Sequence, residues 1–439
     1  MAGRFRTFVR IAYRSRPWRN VFPMALLAGG IVATALIISS CRPEPSTLPI
    51  APLSPGSPIR LAPPGVPAIR VRLGSAVQTL NLSTTGPYRI RVDGRDIAGD
   101  SRAMPPTRAR RLSGGVWQFN NVTALGEKAE IVALEESFVR LDQTCYRGLI
   151  RLVPENPDGF FAVNQVDLEN YLAGVLSREL LNGWSLETYR ALAVAARTFA
   201  EYQMATQGKT REWDVGSDQS SQVYGGAAAE TPKAWAAVRG TKGVVLGYGP
   251  AGREQILFAQ YSSCCGGHVN GAFVLRDCDL SEPYRGGQSC DDCRASQRYR
   301  WPAVSISKSV LLSALAASCG DEFADMTRLR EIRTVSTTDY GRPVWLDIVG
   351  VNGQSVRLRA EDLRLALFRQ GLTGGKGGLY SMNCRIRDAG DRVEFTDGRG
   401  FGHGVGLCQW GAEGKARRGW RAEQILAFYY PGARLYRAY

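Results

Sequence analysis

Two consecutive helical patterns between Val166 and Glu201 constrain the fold of this 439-residue chain more than any other stretch. Asp167 stands where a helix N-cap is expected, and apolar side chains follow it at the spacing of one helix face. These side chains are Leu168, Tyr171, Leu172, Val175 and Leu176. The second pattern begins after Ser185, another N-cap residue, and its buried face is rich in alanine. The stretch therefore predicts a closely packed helix pair at the centre of the fold.

Glu179 lies at the end of the first predicted helix, on the same face as the apolar residues. A carboxylate in that position is partly desolvated and faces the negative end of the helix dipole, and both effects raise its pKa. A carboxylic acid that stays protonated near neutral pH can serve as a general acid. The alternative is a solvated Glu that turns outward beside Arg178, which is the commoner case for a Glu at a helix end.

The charge balance indicates an anionic partner. The chain carries 55 Lys and Arg against 40 Asp and Glu, a net charge of +15. Such a balance suits nucleic acid, a membrane surface or an anionic cell-wall polymer. No nucleic-acid-binding motif accompanies the charge, and there is no Walker loop, Rossmann fingerprint or Gly-x-Ser-x-Gly elbow. We therefore expect a protein of the cell envelope.

The N-terminal residues predict a membrane tether. Residues 1–41 begin with six arginines and no acid among the first twenty residues, and an uncharged, mostly apolar run follows. This pattern is typical of a lipoprotein-type signal that ends at Cys41, or of an uncleaved transmembrane anchor. Residues 42–67 are rich in proline and predict an extended linker. Both interpretations place the remainder outside the cytoplasm, tethered to the membrane.

The body of the chain, residues 68–439, reads as one domain with four parts. These are a β-rich N-terminal part (68–150), the helix pair with a Cys-rich segment (151–300), an inserted α/β part (301–397) and a closing block (398–439). Alternating patterns predict a hairpin of residues 149–153 and 160–163, a second of 345–349 and 355–358, and a strand at 256–259. The expected fold class is α+β, with mixed β-rich modules packed around the central helix pair.

The Cys-rich segment contains two pairs with the spacing of metal ligands. They are Cys265-Gly-Gly-His268 and Cys290-Asp-Asp-Cys293. Four such ligands suit tetrahedral Zn²⁺, and Cys264 and Cys278 are reserve ligands. The alternative is disulfide bonding, which a location outside the cytoplasm permits.

His403 lies in a run of glycines at positions 400, 402, 404 and 406. Glycines allow the backbone to approach a ligand or another element closely. His403 is therefore either a substrate contact or proton shuttle, or a structural residue whose ring bridges backbone groups. The pattern leaves both interpretations open.

Several motifs, in order along the chain, resemble the sporulation stage II protein D / amidase-enhancer (SpoIID/LytB-like) family. They lie in residues 163–199, 218–226, 261–268, 400–412 and 425–432, and the resemblance extends over about residues 69–435. Three positions depart from the family pattern. The family's Glu-Met-Pro is Glu179-Leu-Leu here, the usual Ser of Ser-Gln-Trp-Gly is Cys408, and a His present in some metal-binding members is Ser262.

The resemblance implies an envelope protein that acts on peptidoglycan. The best-studied branch is a lytic transglycosylase, which cleaves the MurNAc–GlcNAc β-1,4 bond of strands stripped of stem peptides. The family's catalytic Glu falls on Glu179, and the sugar's own 6-hydroxyl attacks to give a 1,6-anhydro end. One carboxyl can then suffice where hydrolases generally use two.

The resemblance also supplies candidate contacts and an alternative function. The residues expected to line a glycan groove are Arg197, Gln222, Tyr224, Ser263, His403 and Gln409. Some members carry a metal beside the catalytic centre, which would place the ligands Cys265, His268, Cys290 and Cys293 near Glu179. The alternative is a non-catalytic glycan-binding protein that recruits or stimulates a cell-wall amidase. A zinc-dependent hydrolase is a third hypothesis, and it requires an open metal site.

Overall fold

The computed structural model describes residues 65–156, 159–276, 283, 286–372 and 378–439. The predicted anchor, nearly all of the predicted linker and Cys278 lie outside the described residues. Within the described part, no helix combines the length and the apolar character needed to span a bilayer. The helices described are α1 (Leu168–Glu179), α2 (Leu186–Ala205), α3 (Pro232–Gly240), α4 (Lys308–Cys319), α5 (Ala360–Arg369), α6 (Gln409–Arg417) and α7 (Ala422–Tyr429). Together with the strands they form the mixed α+β fold that the sequence predicts.

Twelve strands precede α1 and build the N-terminal part. They are β1 (Ala68–Val77), β2 (Thr79–Thr84), β3 (Tyr88–Val92), β4 (Arg95–Asp100), β5 (Thr107–Leu112), β6 (Val116–Phe119), β7 (Val122–Leu125), β8 (Ala129–Ala133), β9 (Val139–Leu141), β10 (Thr144–Tyr146), β11 (Leu149–Pro154) and β12 (Phe160–Asp167). One sheet has the order β10-β9-β2-β5-β6-β7. A second sheet contains β3, β8 and β11, and in it Ile131 of β8 pairs with Ile90 of β3 and with Ile150 of β11. These three side chains share a hydrophobic core with Trp117 and Phe119 of the first sheet.

The remaining strands all follow the helix pair, and most of them are short. They are β13 (Val215–Gly216), β14 (Val244–Tyr248), β15 (Gln255–Ile256), β16 (Tyr261–Ser262), β17 (His268–Asn270), β18 (Gly286–Ser289), β19 (Arg300–Trp301), β20 (Val304–Ser307), β21 (Leu329–Thr337), β22 (Pro343–Gly350), β23 (Ser355–Arg359), β24 (Arg385–Ala389), β25 (Arg392–Thr396), β26 (Gly398–Arg399), β27 (Leu407–Cys408) and β28 (Arg434–Arg437). β13 completes a seven-stranded sheet of order β13-β1-β12-β11-β8-β3-β4. Both predicted hairpins are confirmed, as β11–β12 and β22–β23.

The strand predicted at residues 256–259 is wrong beyond Ile256. After β15 the chain bends, because Leu257 and Phe258 each accept a backbone hydrogen bond from the residue two positions later. Such tight turns break the regular ladder of a strand.

The two predicted helix caps are confirmed. Asp167 accepts hydrogen bonds from the N–H groups of Glu169 and Asn170, at 2.8 and 3.1 Å, where β12 passes directly into α1. Ser185 accepts from the N–H of Glu187 at the start of α2. These caps satisfy N–H groups that a helix leaves unpaired at its start. They fix where the helix pair begins, and so where its last residue, Glu179, ends α1.

The helix pair lies in the largest hydrophobic core of the described residues. α2 contacts α3, α6, α7 and β14, so the helix that follows it and the two helices of the closing block surround it. A separate core holds α4 and α5 together with β20–β25, between Trp301 and Phe395. The part predicted as an insertion therefore has a hydrophobic interior of its own, and the closing block returns to the main core.

Candidate functional site

Glu179 is held between two hydrogen-bond donors at the end of α1. Its Oε1 accepts from the backbone N–H of Val223 at 2.9 Å, and its Oε2 accepts from Nε2 of Gln409 at 2.9 Å. The residue keeps some exposed surface, whereas the neighbouring Arg178 is exposed. Glu179 therefore does not turn outward beside Arg178. It points into the protein and remains reachable from solvent.

The surroundings of Glu179 favour its protonated form. Burial raises the pKa of Glu179 above its usual range, and the hydrogen bonds from Val223 and Gln409 oppose this rise without cancelling it. Burial acts on the charged form, whereas the two donors stabilise it. The result is a carboxyl that holds a proton more readily than an exposed Glu and still has partners ready when it ionises.

Gln222 fixes the loop that brings Val223 to Glu179. Its Oε1 accepts from the Tyr171 hydroxyl at 3.0 Å, and its Nε2 donates to the Tyr261 hydroxyl at 3.0 Å and to the Ala196 carbonyl at 3.3 Å. Gln222 has no exposed surface. It was predicted to touch substrate, but its contacts make it a support for the loop.

A buried tyrosine, Tyr171, and a partly buried one, Tyr261, complete the surroundings of the carboxyl. Burial raises the pKa of Tyr171 and of Tyr261 well above the usual range, and the nearby charge of Glu179 adds to this effect. Both phenols therefore stay neutral. Tyr261 was not among the predicted site residues, although it opens the motif of residues 261–268. Only its contact with Gln222, which is distant in sequence, reveals its place.

Gln409 reaches Glu179 from the first residue of α6. Its position depends on β27, which pairs in parallel with β16 so that Ser262 lies opposite Cys408. The Ser263 carbonyl then accepts from the N–H of Trp410 at 3.1 Å. Ser263 is partly exposed and lies beside the start of α6.

His403 makes the contacts of a structural histidine. Its Nδ1 accepts from the Val405 N–H at 3.0 Å, and its carbonyl accepts from Asn270 Nδ2 at 2.7 Å. Burial lowers the pKa of His403 to about 4, so the ring is neutral at physiological pH. Gly404 has φ +72, and a Cβ there would lie 2.3 Å from Asn270 Nδ2. The glycine run thus allows close packing of the closing block, with the ring of His403 bridging backbone groups.

Arg197 and Tyr224 do not line a groove. Arg197 has no exposed surface and pairs with Glu169 through Nε and Nη2, at 2.9 and 2.7 Å. The Tyr224 hydroxyl donates to Asn164 Oδ1 at 2.9 Å, and only 6% of the residue is exposed. Both side chains are committed to buried partners, so their role is in the fold and not in contact with a glycan.

Three of the four residues predicted as metal ligands lie together with Cys408, and the fourth lies apart from them. Cys265, Cys290 and Cys293 lie with Cys408, and their sulfur atoms are all within 4.8 Å of one another. His268 stands apart, with its ring stacked on that of Tyr340 at 4.7 Å between centroids. The reason is local. Two glycines with positive φ separate Cys265 from His268, and His268 begins β17, so the pair is not on one helical turn.

The comparisons with known proteins agree with the motifs. Residues 157–248, which include α1, α2 and Val223, match the model of the family described as SpoIID, Stage II sporulation protein. An uncharacterized protein of Brachyspira hyodysenteriae is 28% identical over 367 residues, which cover 83% of this chain and 91% of that protein.

Two relatives from Bacillus subtilis carry functional names. The amidase enhancer is 26% identical over 303 residues, which cover 60% of this chain but only 40% of that protein. Stage II sporulation protein D is 25% identical over 293 residues, which cover 62% of this chain and 76% of that protein. The family model and these relatives match the region of the motifs described above, and they support the resemblance to the SpoIID/LytB-like family.

Proposed function

We propose that this protein is a peptidoglycan lytic transglycosylase in which Glu179 is the single general acid and base. The observation that carries the proposal is the setting of its carboxyl. It is partly exposed, burial raises its pKa, and an amide N–H and a carboxamide hold its two oxygens. Neither donor is a carboxylate. This arrangement suits a reaction in which one carboxyl gives a proton and then takes one back.

The proposed reaction needs no water. Protonated Glu179 donates its proton to the glycosidic oxygen, the bond between that oxygen and C1 of MurNAc breaks, and GlcNAc leaves with a free 4-hydroxyl. The 6-hydroxyl of MurNAc then bonds to C1 and gives its proton to the Glu179 carboxylate. The product has a 1,6-anhydro end, and Glu179 is protonated again. The donors from Val223 and Gln409 stabilise the carboxylate between the two proton transfers.

We propose that the glycan strand binds along the loop before Val223. That loop lines a polar cavity of about 440 Å³, to which Asp218 and Ser220 contribute together with Trp213 and Arg72. Polar side chains beside an aromatic ring are typical of sites that fix the orientation of a polar ligand. The net charge of +15 favours association with an anionic wall polymer. We propose the cell envelope as the place of action, with residues 1–67 as the tether.

The test compares the products that wild type and Glu179→Gln release from denuded glycan strands, measured by mass spectrometry. We expect anhydro-ended fragments from wild type and a loss of about 10²- to 10⁴-fold in the variant, the usual contribution of a general acid–base. Glu136→Gln is the matched control, because the Glu136 side chain is fully exposed. Equal yields from wild type and a folded Glu179→Gln would overturn the mechanism.

A second function is supported by the relative named amidase enhancer. In that case the protein binds glycan strands without cleaving them and stimulates a cell-wall amidase. Wild type would then release no fragments, would still sediment with the strands, and would speed the release of stem peptides by an added amidase. Release of glycan fragments by wild type but not by Glu179→Gln would favour the lytic transglycosylase.

A further inference from the structure

Four cysteine side chains meet in the main core although they come from three segments far apart in sequence. Cys265 follows β16, Cys290 and Cys293 lie at a single 3₁₀ turn, and Cys408 is the N-cap of α6. Their sulfur atoms all lie within 4.8 Å of one another. None of the four residues is more than 1% exposed. They form a sulfur cluster shielded from solvent, which we call the thiol cluster.

The spacing within the thiol cluster fits a metal better than disulfides. With Zn–S bonds of about 2.3 Å and tetrahedral angles, two sulfur ligands lie about 3.8 Å apart. The sulfur atoms of Cys265 and Cys293 are 3.7 Å apart. A disulfide requires about 2.05 Å, and all four cysteines carry free thiols.

The neighbours of the thiol cluster are hydrogen-bond donors to sulfur. The backbone N–H groups of Cys265 and Gly411 both donate to Sγ of Cys408, each at 3.3 Å. The Tyr429 hydroxyl lies 3.2 Å from Sγ of Cys290. Hydrogen-bond donors around the ligands of a metal site fix the orientation of those ligands.

α6 approaches the thiol cluster as closely as its backbone allows. A Cβ at Gly411 would lie 2.6 Å from Sγ of Cys290 and 2.2 Å from the Tyr429 hydroxyl. Only glycine leaves room for this contact. The first turn of α6 is therefore packed directly against the sulfur atoms from the Cys-rich segment.

We propose that Cys265, Cys290, Cys293 and Cys408 bind one Zn²⁺ as a closed structural site. Four thiolates around one ion leave no position for water or substrate, so the ion takes no part in the chemistry. Its effect is mechanical. Gln409 follows Cys408 directly and donates to Glu179, so the ion holds in place the segment that completes the site. The importance of this last contact for activity rests on the proposed function, whereas the metal site does not.

The test measures zinc in the full chain, purified without chelator or added metal. We expect one zinc per chain by elemental mass spectrometry, and a competing chromophoric chelator should show that Cys408→Ser binds zinc at least about 100-fold more weakly. Loss of a residue outside the ligands weakens metal sites by only about 10- to 100-fold. His268→Ala and Cys319→Ser are matched controls that should keep wild-type affinity, because neither side chain belongs to the thiol cluster.

Several results would overturn the site. They are purified protein without zinc, iron in place of zinc, a disulfide between any two of the four cysteines, or loss of zinc in His268→Ala with retention in Cys408→Ser. If Cys408→Ser does not fold, wild type reconstituted with Co²⁺ gives the answer, since its charge-transfer absorption counts the thiolate ligands. Four thiolate ligands support the proposed site, and three or fewer thiolate ligands overturn it. Glu179→Gln should bind zinc normally, so failure of the proposed function is distinguishable from failure of the metal site.

Discussion

Replacing Gln409 with Met removes one of the two donors to Glu179 while keeping a side chain of similar length. The lost contact is the 2.9 Å hydrogen bond from Nε2 to Oε2. A hydrogen bond to a charged group contributes about 1.5–3 kcal/mol. Since Gln409 is only 5% exposed, water replaces the donor poorly. At about 1.4 kcal/mol per factor of ten, the ratio of protonated to ionised Glu179 rises roughly 10- to 100-fold at a given pH.

The direction of the effect on activity follows from the role of the proton. In the proposed reaction cleavage begins with protonated Glu179, so activity should be lost as the pH rises through the pKa of this carboxyl. Burial already raises that pKa, and the variant raises it further. We expect the alkaline limb of the pH–rate profile to move to higher pH in Gln409→Met. The rate on the plateau at lower pH should fall, because the variant stabilises less the carboxylate that remains after Glu179 gives up its proton.

Stability gives a second measurement that does not depend on catalysis. A carboxyl whose pKa is raised by folding favours the folded state when protonated, and this contribution is lost as the pH rises through the folded pKa. Gln409→Met should therefore lower the free energy of unfolding more at pH 8 than at pH 4, as measured by urea denaturation. Gln424→Met in α7 is the control, because its carboxamide accepts from the Arg421 N–H and not from the site. An unmoved alkaline limb, together with the same loss of stability at both pH values, would refute the reasoning.

Two further predictions concern buried contacts. Arg197→Met should lower the free energy of unfolding by about 3–5 kcal/mol, because it leaves the buried Glu169 without its ion-pair partner, and the double variant Arg197→Met with Glu169→Leu should recover most of the loss. Guanidinium denaturation compares wild type, the single variant and the double variant. A single variant as stable as wild type would contradict the assignment of Arg197 to the core. Gly411→Ala should lower the free energy of unfolding by about 1–3 kcal/mol, because the added methyl group overpacks against Cys290. Gly183→Ala is the control and should be nearly neutral, because a Cβ there meets nothing within 4 Å. Equal melting temperatures of the two variants would show that α6 can shift to make room.

Features set by neighbouring residues could be predicted from the sequence. The caps at Asp167 and Ser185 depend on N–H groups two or three residues away, and both are as expected. The position of Glu179 on the apolar face of α1 could be predicted for the same reason, since it follows from helical spacing. What the pattern could not decide was whether it turns outward, because both of its donors come from other segments.

Features set by distant residues were missed or misread. Arg197 was expected in the groove, because nothing in its own helix shows that Glu169 faces it from α1. In the sequence, Cys408 differs from other cysteines only in standing where the family pattern Ser-Gln-Trp-Gly has Ser. Its place beside Cys265, 143 residues earlier, depends on the pairing of β27 with β16. The spacing of Cys265 and His268 predicts a pair of metal ligands only if both residues lie on one helical turn, but His268 lies on a strand.

The separation of Glu179 from its partners has a consequence for when the candidate site can form. Val223 follows Glu179 by 44 residues, and Gln409 follows it by 230. Contacts between such distant residues carry a high cost of loop closure and form late in folding. A chain that has folded its helix pair but has not yet docked α6 lacks half of the support of its carboxyl. The candidate site is therefore complete only after the closing block has docked on the main core.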